Sequence, residues 1–319
     1  MKNTRFICLL TLCTLAAACN STTSEQSKSS ALPAAASSSP SHASSASPVQ
    51  AAASPVASNQ EAMTAQTPAP KQVLSDIYQM DIHDAEDVDI GNGSKATFWY
   101  GYAFELAGKH YFTGFAYDTP EKFGNQDDTP SPDGKVTLTD GIYEGSTSGT
   151  AKSTWTFRVS ERDIGEFGSY ERADAIDTFQ QAQSYPTKDN RLILALPTWY
   201  LASGVRMHNY AILIFNPKKP DDPEDTRWTY LGDVSSGEDN GAACDADGTG
   251  NHMPCVKSSG VLSYTASNGS DLPAIRIAMS GSVIDDAGKT RTLGPADARE
   301  YRYDPAKKSY QESTHSSTP

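Results

Sequence analysis

The composition of the chain changes abruptly at residue 71, where a segment poor in core-forming residues gives way to one that can build a hydrophobic core. Every tryptophan, every tyrosine and nine of the ten phenylalanines lie in residues 71–319. Residues 19–70 consist mainly of Ala, Ser, Pro and Thr, which bury too little apolar surface to offset the entropy of ordering. We therefore expect a disordered tether over 19–70. A globular domain over 71–319 follows, either one large β domain or two lobes divided near residues 165–190.

Alternating apolar and aromatic residues predict strands through most of the globular domain. In residues 96–106, every second position is aromatic, which places these rings on one face of a β-strand. The four rings are Phe98, Tyr100, Tyr102 and Phe104. Further predicted strands are 110–117, 135–143, 154–159, 192–196, 205–215, 227–231, 260–265, 274–279 and 299–303, with a turn at 304–307 before a last short strand at Tyr310.

Only residues 170–183 have a pattern that favours a helix. No internal repeat of fixed period is present, which argues against a propeller or a solenoid. The sequence therefore predicts a mainly β fold, an antiparallel sandwich or barrel-like domain with one short helix.

The four alternating rings allow two interpretations. Exposed rings on one strand face can stack on sugars and would bind a glycan. An aromatic strand also supplies much of the buried apolar surface in a β domain, and this core role is the more common one. The sequence leaves both interpretations open and favours the core.

Two cysteines, Cys244 and Cys255, remain in the globular domain. They can pair in an oxidising compartment, where closing so short a loop stabilises the fold by roughly 3 kcal/mol or less. A zinc site is disfavoured, because the two cysteines form no CxxC pair and no histidines follow at zinc-ligand spacing. We expect a disulfide.

The loop after Cys244 contains the clearest candidate metal site. Its oxygen ligands match the first half of an EF-hand calcium loop, with glycine at the sixth position. The twelfth position is Val256 instead of glutamate, so a remote carboxylate such as Glu238 or Asp239 would have to complete the site. A plain surface loop is the alternative, because Asp and Gly are common in turns. The candidate calcium ligands are Asp245, Asp247, Thr249 and Asn251.

The charge of the globular domain disfavours nucleic acid as a partner. Residues 71–319 carry 37 acidic and 23 basic side chains, a net charge of −14. Such a surface repels phosphate backbones. Its negative charge either only keeps the domain soluble or attracts a basic partner. The acidic run at residues 83–89 is interpreted as a solvated loop.

Enzyme motifs are incomplete, so the sequence leans away from an enzyme. Residues 145–149 have Thr147 where a nucleophile elbow needs serine, and Val283 replaces the first glycine of a phosphate loop before residues 288–290. No HExxH motif is present. A pair of distant carboxylates for glycoside cleavage stays open as an alternative.

The first nineteen residues resemble a bacterial lipoprotein signal peptide. Lys2 and Arg5 precede a 13-residue apolar run, which is shorter than the roughly 20 residues of a membrane-spanning helix. The run ends in Leu15-Ala16-Ala17-Ala18-Cys19, which is similar to the lipobox of that family. The family usually has leucine three positions before the cysteine, where this chain has Ala16.

The resemblance implies that residues 1–18 are removed and that Cys19 carries lipid, including palmitate, as the mature N-terminus. Asn20 in place of aspartate implies sorting to the outer membrane, on its periplasmic or surface face. The alternative is an ordinary secretory signal cut after Ala18 with no lipid added.

Together these features predict a lipid-anchored envelope protein whose β-rich domain binds a protein or glycan partner. The specific hypothesis is an inhibitor or immunity factor against an envelope-targeting hydrolase. The alternatives are an envelope hydrolase acting on glycan, peptide or lipid, and a surface receptor or adhesion module. No cofactor is expected apart from the candidate calcium, and the oligomeric state is left open.

Overall fold

The computed structural model describes most of the globular domain, in eight stretches. These are residues 67–82, 87–91, 93–120, 131–146, 154–218, 225–244, 253–267 and 270–313. No helix within them is long and apolar enough to cross a membrane. Cys19, residues 19–66 of the predicted tether and the four candidate calcium ligands lie outside the described residues.

Fifteen strands form three curled antiparallel sheets in the described residues. Sheet 1 contains β1 (Asp87–Asp89), β2 (Lys95–Leu106), β3 (Lys109–Asp118), β4 (Val136–Ser146) and β5 (Thr154–Phe167), paired in chain order. Sheet 2 has the order β10-β9-β8-β6, with β7 also paired to β8; its strands are β6 (Ala175–Ile176), β7 (Gln183–Pro186), β8 (Leu192–Ala202), β9 (Val205–Phe215) and β10 (Trp228–Asp239). Sheet 3 has the order β11-β12-β14-β15, with β13 paired to β12; its strands are β11 (Ser258–Thr265), β12 (Ala274–Ile284), β13 (Thr290–Thr292), β14 (Arg299–Asp304) and β15 (Ser309–Glu312).

The predicted mainly β fold is confirmed, and each predicted strand overlaps an observed one. The structure lengthens several of them, because cross-strand hydrogen bonds continue into polar residues that give no apolar signal. The expected C-terminal hairpin is present as β14 and β15, in which Tyr303 pairs with Tyr310.

The predicted helix over residues 170–183 is wrong. Tyr170 and Glu171 have φ values of 53° and 59°, which an α-helix cannot accommodate. The segment instead supplies the short strands β6 and β7, which pair with β8. The side chain of Asp177 accepts the backbone N–H of Phe179, a local hydrogen bond that competes with helix formation.

The α-helix of the described residues is α1 (Pro70–Tyr78), which packs on the outer face of sheet 1. Pro70 occupies the first turn, where a missing N–H is tolerated. Val73 packs so closely on Gly114 that a Cβ added to this glycine would lie 2.4 Å from Val73 Cγ1. The Tyr78 hydroxyl donates to the Asp118 carboxylate at the helix C-terminus.

Sheet 2 is buried on both faces. Leu194 and Leu213 belong to a first core shared with sheet 1, whereas Ile193 and Ile212 belong to a second core shared with sheet 3. All four side chains are fully buried. A strand buried on both faces has a continuous apolar sequence, and this explains the uninterrupted run at 192–196. The first core joins residues from both sides of the 165–190 segment.

Candidate functional site

The predicted cysteine pair lies at the end of β10. Cys244 and Cys255 form a disulfide with Cα atoms 4.9 Å apart. Asn240 closes the base of the loop, since its Nδ2 donates to the Pro254 carbonyl at 2.9 Å and its Oδ1 accepts the Val256 N–H at 2.8 Å. The disulfide and the asparagine together fix where this loop leaves and re-enters the domain.

Near the candidate calcium loop, one of the two carboxylates considered as remote ligands already has other partners. Asp239 was considered as a remote ligand, but its carboxylate pairs with Lys257 Nζ at 3.1 Å and accepts the Gly241 N–H at 2.9 Å. Among the residues that the structure describes, no group of three or more His, Cys, Asp or Glu side chains could hold a metal ion.

The four alternating aromatic residues of β2 do not share one exposed face. Pairing is irregular between Phe98 and Tyr100, so Phe98 packs towards α1 whereas Tyr100 packs against the first core. Tyr102 and Phe104 are 2% and 6% exposed in that core. The arrangement is that of core residues and presents no continuous ring platform for a sugar.

The β6–β7 connection presents an exposed aromatic side chain on a braced loop, which we call the Phe179 loop (residues 177–182). Phe179 is 97% exposed, although the loop beneath it is held by a network of hydrogen bonds. Asp177 accepts the Phe179 N–H at 3.1 Å and the Gln180 amide at 2.7 Å. The Tyr210 hydroxyl in turn donates to Gln180 Oε1 at 3.0 Å. The loop is therefore tied to β9 while its phenylalanine points into solvent.

Three further side chains lie where β8 and β9 approach their turn. Trp199 and His208 are cross-strand partners, and the Arg206 guanidinium lies 4.4 Å from the centre of the Trp199 ring. His208 Nδ1 lies 3.8 Å from Asp177 Oδ2, which links this strand end to the Phe179 loop. Burial lowers the pKa of His208, and the nearby Asp177 carboxylate partly opposes this shift.

On the other face of the same strand end lies a group that we call the carboxylate–tyrosine cluster (Asp174, Asp233, Tyr200 and Tyr230). Asp174 precedes β6 and is 5% exposed, whereas Asp233 of β10 reaches solvent. Burial, followed by the charges of both aspartates, raises the pKa of Tyr200. The pKa of Tyr230 is raised by burial and by the same two carboxylates, Asp233 before Asp174. Each tyrosine is thus within electrostatic reach of both acids.

Both carboxyl groups of the cluster have raised pKa values. Burial raises the pKa of Asp174 to about 6, partly opposed by a hydrogen bond from the Asn209 side chain. The surrounding protein and then the charge of Asp174 raise the pKa of Asp233, although the residue is partly open to solvent. Lys135 lowers the Asp233 pKa to a smaller extent. Groups with such raised pKa values concentrate at functional sites.

A buried hydroxyl adjoins this cluster. Thr198 of β8 is 1% exposed, and its Oγ1 has no hydrogen-bond partner among the described residues. Thr198 pairs across the sheet with Asn209, the residue that hydrogen-bonds to Asp174. Thr198 and Asn209 continue the every-second-residue series of β8 and β9 that faces the first core, so both side chains point to the same side as the cluster.

A third acidic group, Asp140 of β4, is fully buried inside the first core region. Neither of its carboxyl oxygens has a hydrogen-bond partner in the part of the chain that the structure describes. Burial raises the pKa of Asp140 far above its ordinary value, and the cross-strand neighbour Glu161 raises it further. Asp140 therefore keeps its proton to a higher pH than an exposed aspartate does, and its full burial favours a structural role.

Sequence reasoning missed both the Phe179 loop and the carboxylate–tyrosine cluster. Asp174, Asp177 and Phe179 fell within the segment predicted as a helix. Thr198 and Asn209 are single polar residues next to long apolar runs, and only the pairing of β8 with β9 brings them together. The available signal was this interruption of an apolar strand by polar residues.

Comparisons with known proteins add no family to this picture. The chain matches no protein-family model, no curated protein and no solved structure.

Proposed function

We propose that this chain is a lipid-anchored protein of the cell envelope whose β-rich domain docks a protein partner through the Phe179 loop and the adjoining Trp199–Arg206 pair. The observation that carries the proposal is the 97% exposure of Phe179 on a loop held by hydrogen bonds. The specific role we propose is to block an envelope-targeting hydrolase.

An exposed phenylalanine on a braced loop is suited to binding. Burying its ring against a partner removes apolar surface from water and stabilises a complex by roughly 1.5–3 kcal/mol. Because the loop is already ordered, little further conformational entropy is lost when the partner binds. Tryptophan and arginine, the adjoining side chains, are among the residue types that dominate binding energy at interfaces.

The charge of the domain favours a protein over a lipid surface as the occupant. Residues 71–319 have a net charge of −14, and anionic headgroups would repel such a domain. The Ala-, Ser- and Pro-rich segment 19–70 would span on the order of 40 Å as a flexible coil, so the domain could reach partners away from the lipid. A protein partner with a basic surface around an apolar pocket fits the negative charge of the domain and the exposed Phe179 ring.

The test is differential capture from envelope extracts with three full-length proteins. Phe179→Ala removes the ring, and Val261→Ala serves as the matched control because Val261 is 67% exposed on sheet 3. We expect a stoichiometric protein to be retained by the wild type and by Val261→Ala and lost from Phe179→Ala. Purified, that protein should bind Phe179→Ala at least tenfold more weakly.

Equal recovery of every protein by the wild type and by Phe179→Ala would contradict docking through this loop. Association of the wild type with itself, abolished by the same substitution, would identify a second copy as the occupant and would also contradict the proposal. The blocking role is tested separately, by whether the recovered partner is a hydrolase and loses activity in the complex.

An envelope hydrolase is the second candidate, because Asp174 and Asp233 interact electrostatically and both have raised pKa values, about 6 for Asp174. A carboxylic acid that is still protonated near neutral pH can act as a general acid. Assays on glycan, peptide and ester substrates should then show turnover that Asp233→Asn abolishes. Absence of turnover in the wild type across all three classes counts against this candidate.

A further inference from the structure

We propose that the carboxylate–tyrosine cluster binds an organic cation, a primary ammonium or guanidinium group carried by a ligand. This assignment stands on the opposite face of sheet 2 from the His208–Asp177 contact and does not rest on docking through Phe179. The first support is the excess of negative charge, since Asp174 and Asp233 are within electrostatic reach of each other and Lys135 is the basic side chain that acts on Asp233.

Access to the cluster is graded from solvent inward. Asp233 is exposed, whereas Asp174 is 5% exposed and Thr198 is 1% exposed. A ligand group entering at Asp233 would meet progressively more buried oxygen atoms. In these surroundings a charge–charge hydrogen bond is stronger than in water, because less solvent screens it.

The Thr198 hydroxyl is an independent sign that a polar ligand group belongs here. A buried hydroxyl without a partner is unfavourable, and such groups are rare in folded proteins. Thr198 Oγ1 has no partner among the described residues, and its cross-strand neighbour Asn209 is the hydrogen-bond partner of Asp174. A ligand N–H group placed between the carboxylates could donate a hydrogen bond to Thr198 Oγ1.

The residues around the carboxylates fit an organic cation better than a metal ion. Calcium takes six to eight oxygen ligands, usually with several carboxylates. Among the described residues no third acidic side chain, histidine or cysteine completes a metal-binding group. Tyr200 and Tyr230 instead border both acids, and aromatic rings attract ammonium and guanidinium groups through their faces.

The experiment uses isothermal titration of the full-length protein at pH 8, where both carboxyl groups are mainly ionised, and at low ionic strength with two probes. Spermidine represents a free polyamine, and a terminally blocked Gly-Lys-Gly peptide represents a lysine side chain of a protein. We expect binding of at least one probe that weakens tenfold or more in Asp174→Asn and in Asp233→Asn. Asp271→Asn, an exposed aspartate of the loop before β12, is the matched control and should bind like the wild type.

The relative affinities of the probes identify the source of the cation. Tighter binding of spermidine indicates a free amine, and tighter binding of the peptide indicates a protein-borne lysine; both support the assignment. Absence of binding by both probes overturns it, as does equal binding by the two cluster variants and the wild type. Calcium chloride binding that is tighter than either probe and lost in both variants would overturn it in favour of a metal site. Circular dichroism of each variant checks that the fold is retained.

Discussion

The two ends of the β8–β9 hairpin differ in what their side chains do. At the open end, around Leu194 and Leu213, both faces are packed into cores and every side chain is apolar. Towards the turn, the same strands carry Trp199, His208 and Asn209, and both proposed binding regions adjoin them. The open end of the hairpin thus packs the cores, whereas its turn end adjoins the proposed binding regions.

This contrast shows where binding groups can lie in a layered β domain. A sheet that is covered on both faces leaves no surface for recognition along most of its length. Polar and aromatic groups can reach a ligand only where the sheet extends beyond its neighbouring sheets or where its edge is covered by a short connection. The strand ends and the Phe179 loop are such places, and the packed part of the same strands holds them in position.

The largest expected effect comes from the apolar end. Ile212→Ala and Leu213→Ala remove adjacent side chains on opposite faces of β9, and each should lower the free energy of unfolding by about 2–5 kcal/mol. Val205→Ala, half-buried beside the turn, should lower it by roughly 1 kcal/mol or less. Urea denaturation measures all three. A large effect from only one of the two neighbours would contradict a sheet with two core faces.

The disulfide should contribute the next largest effect. The loop before it packs on the hairpin turn, where a Cβ on Gly204 would lie 3.0 Å from Ala243 Cβ. Replacing Cys244 and Cys255 together by alanine should lower the free energy of unfolding by roughly 3 kcal/mol or less. Denaturation of the double variant with and without reductant provides the control, because the reductant should destabilise only the wild type.

Asp140, an acidic side chain buried among apolar residues, should make the free energy of unfolding depend on pH. The folded state holds its proton at pH values where the unfolded state, with a pKa of about 3.9, has lost it. Stability contributed by this group therefore falls as pH rises above about 4, with a slope of up to about 1.4 kcal/mol per pH unit. Asp140→Asn lacks this dependence. Its free energy of unfolding should therefore rise relative to that of the wild type as the pH increases towards 8.

The measurement is urea unfolding of the wild type and of Asp140→Asn at several pH values between 4 and 8. Only the difference between the two proteins is interpreted, because Asp174 and Asp233 add their own pH dependence in the same direction. Parallel curves for the two proteins would show that Asp140 is ionised in the folded state or reaches a partner.

Phe179 should have the smallest effect on stability. Its side chain is 97% exposed, so Phe179→Ala should change the free energy of unfolding by no more than about 0.5 kcal/mol. Thermal and chemical unfolding measure this change. A destabilisation above about 1.5 kcal/mol would mean that the ring packs within the domain, and the docking proposal would lose its main support.

The strands of the domain could be predicted because their signal is local. The segment 205–215 is β9 to the residue, since an apolar run bounded by a turn leaves few alternatives. The segment 170–183 was wrong for the opposite reason. Its residues gain their hydrogen bonds from β8 and from the Asp177 side chain, and neither can be seen from periodicity.

The candidate sites depend on residues far apart in sequence. Asp174 and Asp233 are 59 positions apart, and no spacing rule relates them. They come within electrostatic reach of each other on one side of a curled sheet that contains both β6 and β10.

The mainly β character of residues 71–319 can be predicted from the sequence, because burial of one strand face imposes a period of two on the residues. The sequence does not show which polar residues approach each other, which apolar ring is exposed to solvent and which acid is enclosed. These outcomes depend on how three sheets stack and curl, and packing between distant strands leaves no periodic trace in the chain.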